Sequence, residues 1–151
     1  MKLAEALILR SDIQKRMEQV KERLFKNVLV QEGEKASEDP GDLLKEYKNL
    51  QLQLNQLIKD INRTNSKTKF DDRRTLSEAL VDRDLLLEKR NILLGAAEKA
   101  TEKQDRYSRS EIKYVSIIDV KEYQKQADSL SKEYRNLDTK IQGMNWQVDL
   151  I

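Results

Sequence analysis

The chain has 151 residues with 29 Lys and Arg against 27 Asp and Glu, a net charge of +2, no His and no Cys. A nearly neutral molecule is not drawn as a whole onto nucleic acid or an anionic membrane, so any such binding would need a local patch. Without Cys and His there are no thiolate or imidazole metal sites, no disulfides and no Cys or His nucleophile, which leaves an all-carboxylate site as the one metal option.

Charged residues make up 37% and aromatics 5% of the chain, with four Gly and one Pro, a composition of long helices rather than sheets and tight turns. The length fits one domain, residues 1–151, with a continuous core if the helices pack along their lengths. No stretch of about 18 apolar residues is present to span a bilayer. The start, Met1-Lys2-Leu3-Ala4-Glu5, places an acid where a secretion signal needs apolar residues, so a cytoplasmic location is expected.

Helix 1 is predicted over roughly 2–30, from apolar residues at steps of three and four: Leu3, Ala6, Ile13, Met17, Val20 and Leu24, with Arg10 and Asn27 out of type in the same seam. The acidic run from Gln31 to Asp39 ends it, and Asp39-Pro40 supplies a cap and a first-turn proline for the next. Helix 2 is expected to run to about Ile61 through Leu43, Tyr47, Leu50, Leu54 and Leu57. It should stop at Asn62-Arg63-Thr64-Asn65-Ser66, whose side chains compete for backbone hydrogen bonds.

Helix 3 opens at Thr75-Leu76-Ser77-Glu78, a capping box. Leu85-Leu86-Leu87 and Ile92-Leu93-Leu94 spread apolar surface around it, so it is expected to be the most buried helix. Gly95 costs about 1 kcal/mol relative to Ala in a helix interior and should mark a close backbone approach or a bend. Residues 112–118, Ile-Lys-Tyr-Val-Ser-Ile-Ile, favour extended structure and are predicted as a short β segment. Helix 4 starts at Asp119 with Glu122 in a second capping box. Its seam is Val120, Tyr123, Ala127, Leu130, Tyr134, Leu137, Ile141, Met144 and Val148, and Gly143 could end it early. The predicted fold is all-α: four long helices in an antiparallel up-down-up-down bundle or coiled coil, each of about 25 residues and about 38 Å long.

The runs Ile61-Asn62-Arg63-Thr64-Asn65, Arg74-Thr75-Leu76-Ser77-Glu78-Ala79-Leu80, Asp105-Arg106-Tyr107-Ser108-Arg109-Ser110-Glu111-Ile112-Lys113 and Asn145-Trp146 resemble a family of small bacterial proteins, some of which carry the name septicolysin. The resemblance covers nearly the whole chain and implies a helical, coiled-coil protein.

Arg106, Tyr107, Ser108, Arg109 and Lys113 form the sharpest candidate site. Two guanidiniums, two hydroxyls and an ammonium on one connection could hold a phosphate or carboxylate. The bland alternative is a solvated loop whose arginines pair with Asp105 and Glu111. A second basic stretch, Arg63, Lys67, Lys69, Arg73 and Arg74, is offset by Asp71 and Asp72 and has only Phe70 for stacking, so nucleic-acid binding is disfavoured there. Glu18 and Glu22 lie four apart but lack the Glu-x-x-His pattern of di-metal bundles, and read as a solvated face.

Tyr47, Tyr123 and Tyr134 read as core layers that need partners for their hydroxyls. Either leucine stripe of helix 3, Leu76-Leu80-Leu87-Leu94 or Leu76-Ala79-Leu86-Leu93, is interrupted by Arg83 and Arg90, seven residues apart on one face. Such seam charges can set register and copy number. The expected function is a structural or protein-interaction module that self-associates through coiled-coil seams, either as a homo-oligomer or with another protein. It is expected not to be an enzyme, and to use no cofactor and no metal. The alternative is an anion or nucleic-acid binding protein acting through Arg106 to Lys113. A cytolysin ranks third, since it would need export and a membrane-active surface.

Overall fold

The computed structural model describes residues 1–102 and 112–151. The fold is all-α, with four long helices: α1 (Leu3–Lys26), α2 (Pro40–Lys67), α3 (Leu76–Ala100) and α4 (Val120–Gln147). Among the described residues no sheet forms, and the isolated bridges are Lys2 with Asp149 and Lys69 with Thr75. The predicted β segment at 112–118 is therefore corrected: these residues are irregular, and Ile112, Tyr114, Val115 and Ile117 are exposed. β-Branched residues favour a strand only when another strand supplies the ladder, and among the described residues none does.

Two compact units divide the chain: Met1–Thr75 with Gly143–Ile151, and Leu76–Gln142. In the first, α1 packs on α2. The seam of α1 faces inward at every expected position, with Leu3, Ala6, Ile13 and Val20 buried and Arg10, Met17, Leu24 and Asn27 half-buried. The helix ends at Lys26, short of the predicted 30, because Asn27 closes it. The Asn27 backbone N–H donates to the Leu24 carbonyl at 3.0 Å, and its side-chain amide donates to the Arg23 carbonyl at 2.7 Å. Val28, Leu29 and Val30 lie beyond it, exposed. Arg23 then grips both carboxylate oxygens of Glu38, which ties the end of α1 to the entry of α2. The Asp39 carboxylate accepts the Gly41 N–H at 3.1 Å beside Pro40, so α2 starts as its sequence predicts.

The expected turn at Asn62–Ser66 is helix instead, and α2 continues to Lys67. The hydroxyls that were expected to break it satisfy carbonyls one turn back: Thr64 Oγ1 donates to Asp60 O at 2.8 Å and Ser66 Oγ to Asn62 O at 2.8 Å. Thr64 also continues the buried seam after Leu57 and Ile61, and is itself fully buried. Its Oγ1 accepts the backbone N–H of Ile151 at 3.0 Å. Residues 148–151 thus lie against the start of α1 and the end of α2. The Leu3 N–H donates to Val148 O and the Leu150 N–H to Met1 O, both at 2.9 Å, and Lys2 pairs with Asp149 at 2.8 Å. Replacing Thr64 by Val keeps the shape but removes the acceptor for Ile151, and is expected to cost about 1 kcal/mol, read by urea unfolding.

In the second unit Arg83, seven residues into α3, pairs with Asp138, nine residues before the end of α4, which brings these two points of the helices together. Within this unit the predicted α4 seam is turned from solvent, with Ala127 and Ile141 buried and Val120, Tyr123, Leu130, Tyr134 and Leu137 half-buried. Gly143 does not stop the helix, which ends at Gln147. The Asp119 carboxylate accepts the Glu122 N–H at 3.1 Å and caps its start. The expectation that α3 is the most buried helix is overturned, since only Leu76, Ala79 and Ala97 are buried in it and none between Leu80 and Ala96. Its apolar residues encircle the cylinder, and Val81, Leu85, Ile92 and Leu94 stay exposed.

Candidate interaction surface

The predicted site residues fall in different places. Arg106, Tyr107, Ser108 and Arg109 lie outside the described residues, and Lys113 is exposed in the irregular stretch before α4. Tyr47 is a half-buried seam residue of α2, and Tyr123 and Tyr134 are half-buried on α4. In the basic stretch at the end of α2 and the turn that follows, three of the five cations form ion pairs. Arg63 pairs with Asp60 at 3.3 Å, Lys69 with Asp72 at 3.4 Å and Arg74 with Asp71 at 2.8 Å. Asp71 also accepts the backbone N–H groups of Arg73 and Arg74, and the Arg74 guanidinium lies 5.2 Å over the Phe70 ring. The Arg74 side chain, then the Arg73 N–H, hold the Asp71 carboxyl below its usual range. The ion pairs of Arg63, Lys69 and Arg74 reduce their availability to a phosphate backbone.

Arg83 and Arg90 sit on the inner stripe of α3, both half-buried. Arg83 donates to Asp138 at 3.0 Å and to its neighbour Asp84 at 3.0 and 3.1 Å. Burial works against its charge, but Asp84 and then Asp138 outweigh that and keep it firmly protonated. Arg90 instead donates to the neutral side chain of Asn91, at 2.9 and 3.3 Å. Glu18 pairs with Lys21. Among the described residues no three His, Cys, Asp or Glu side chains gather where they could hold a metal ion, and no helix is long and apolar enough to cross a membrane.

The surface that stands out was not singled out from sequence. Val81, Leu85, Glu88, Ile92, Gly95 and Lys99 follow one another on α3 at steps of four and three, and every one is exposed. This is a second heptad stripe, on the side of α3 away from its inner one. Val81 is 57% exposed, Leu85 56% and Ile92 69%, values that belong to surface although the side chains are core types. A Cβ added at Gly95 would meet nothing within 4 Å, so among the described residues no backbone approaches there, contrary to the expected close approach. The signal was present in Leu85-Leu86-Leu87 and Ile92-Leu93-Leu94: Leu86, Leu87 and Leu93 turn to the half-buried side, while Leu85 and Ile92 supply the outer stripe and Leu94 is exposed as well. Shorter apolar stretches, Phe25 with Val28–Val30 and Ile112 with Tyr114, Val115 and Ile117, are also exposed but lack helical spacing.

A model described as a family of unknown function, DUF6847, matches residues 10–150 of the chain. The solved structure of a functionally unknown conserved protein from Corynebacterium diphtheriae is 46% identical, with a TM-score of 0.93, and the match covers 100% of this chain and 99% of that one. None of the curated proteins compared with the chain matches it.

Proposed function

We propose that this chain, which belongs to the DUF6847 family of unknown function, works as a structural module that self-associates through the outer stripe of α3. The exposed heptad of Val81, Leu85 and Ile92 carries this reading. Three β-branched or leucine side chains in coiled-coil register, left in water, are a face whose burial is worth about 1.5–3 kcal/mol per fully covered side chain. Val81, Leu85 and Ile92 stay exposed in the folded chain, so the outer stripe is open to another chain. A second copy meets it with the same stripe, since closed two-fold assemblies place one patch against itself.

Light scattering on the size-exclusion peak tests this. The parent protein is expected to run above monomer mass, and the double variant Leu85→Glu, Ile92→Glu to run as a monomer with its helical circular dichroism retained. A parent protein that stays monomeric as its concentration is raised would sink the proposal.

A further inference from the structure

We infer that residues 148–151 are a latch that caps α1, and that the latch and the first turn of α1 come apart together as one local opening of the folded protein. α1 starts without a cap of its own. Its N-cap residue is Lys2, whose side chain makes no capping bond, since an ammonium has no lone pair to offer a backbone N–H. Ser, Thr, Asp or Asn would supply that acceptor. Here it comes from a distant part of the sequence. The Leu3 N–H, one of the donors that a helix leaves unpaired at its start, is taken by Val148 O at 2.9 Å. The Lys2 N–H just ahead of it donates to the Glu5 carboxylate at 2.7 Å.

The latch is lightly fastened. Two backbone bonds join residues 1–3 to 148–150, the Ile151 N–H donates to Thr64 Oγ1, and the Lys2 ammonium reaches both Gln147 O at 3.0 Å and Asp149. All of these residues belong to the first unit. Asp149 and Ile151 are exposed, and Val148 and Leu150 only half-buried. An exposed ion pair adds little, and each hydrogen bond replaces one to water. The residues it grips are different: Leu3 and Thr64 are fully buried, and Ala4 and Ala6 of the same first turn are buried as well. A weakly held segment of this kind opens at a free energy below that of global unfolding. Opening returns the Leu3 N–H to an uncapped helix start, and the first turn, closed by the Ala6 N–H on Lys2 O at 3.1 Å, frays with it. Thr64 is less affected, because its hydroxyl keeps Asp60 O.

Hydrogen exchange followed amide by amide tests this. In the parent protein the Leu3, Ala6, Leu150 and Ile151 amides are expected to exchange through one shared opening, well before Val20 and Leu57 inside α1 and α2. Leu150→Pro removes the N–H that donates to Met1 O and keeps the chain length. It is expected to speed exchange at Ala6 roughly tenfold while leaving Val20 and Leu57 unchanged. Adding Lys2→Ser weakens the latch further, because the ion pair with Asp149 is lost, yet it gives α1 an acceptor of its own for the Ala4 or Glu5 N–H. Ala6 should then regain most of its protection while Ile151 stays fast. That divergence separates a capping latch from a segment that merely rests on the surface. The inference falls if Leu150→Pro leaves Ala6 as protected as before, if it speeds Val20 and Leu57 by the same factor, or if Lys2→Ser fails to slow Ala6 again.

Discussion

Replacing Ile61 by Ala is expected to lower the stability of the fold by about 3 kcal/mol, the middle of the range for removing a fully buried isoleucine. Ile61 is 1% exposed and lies in the α2 seam between Leu57 and Thr64, at the end of the helix where residues 148–151 also pack. Truncation there leaves a cavity as well as losing transfer free energy, because Thr64 is held by its two hydrogen bonds and the seam residues cannot easily collapse into the space. For a protein of this size a loss of that order lowers the melting temperature by roughly 10 °C, and thermal circular dichroism reads it directly. Ile92→Ala is the matched control. The same side chain, 69% exposed on α3, is expected to change monomer unfolding by less than about 0.5 kcal/mol. The contrast separates residues that hold the fold from residues that the fold displays. A large loss of monomer stability in Ile92→Ala would mean that α3 is not displayed at all.

Where the apolar pattern has one phase, the sequence and the structure agree residue by residue. The α1 seam places even Arg10 and Asn27 in their half-buried positions, and α4 continues past Gly143 to Gln147. Asp39-Pro40 and Asp119 mark helix starts because a cap is a local interaction, complete within one turn. The errors lie where a longer-range contact decides. Thr64 reads as a turn residue by propensity, but its burial and its bond to Ile151, 87 residues away, make the extra helical turn favourable. Residues 112–118 read as a strand, but strand formation depends on a partner elsewhere.

The outer stripe of α3 was hidden for a different reason. Three consecutive apolar residues, repeated seven apart, fit an inner seam in more than one phase, and sequence alone does not say which residues are left over. They also suggest deep burial, when the helix has apolar residues on more sides than it has neighbours to cover them. The anion candidate at Arg106 to Arg109 lies outside the described residues and so stays an inference from residue types.

The inner stripe of α3 supports a prediction in which the two partners of one ion pair behave differently. Asp138→Ala leaves the half-buried Arg83 with only the exposed Asp84 beside it, so it is expected to cost about 1–2 kcal/mol, less than a deeply buried pair because both partners keep some solvent. Replacing both Arg83 and Arg90 by Leu removes the charge together with its desolvation, and Asp138 is left near enough to the surface to be hydrated. That double variant is expected to keep its helices and to hold or raise its melting temperature, since an ion pair in an apolar seam is often no better than a well-packed leucine. If the two arginines contribute specificity rather than stability, the result appears in the mass and not in the melt. A seam made wholly of leucine no longer discriminates between helix partners, and light scattering should then show mixed or altered oligomers. A homogeneous oligomer of parent mass would assign Arg83 and Arg90 to the interior of the α3 and α4 pair alone. In that case the choice of partner would rest entirely on the outer stripe, where Glu88 and Lys99 carry the charge.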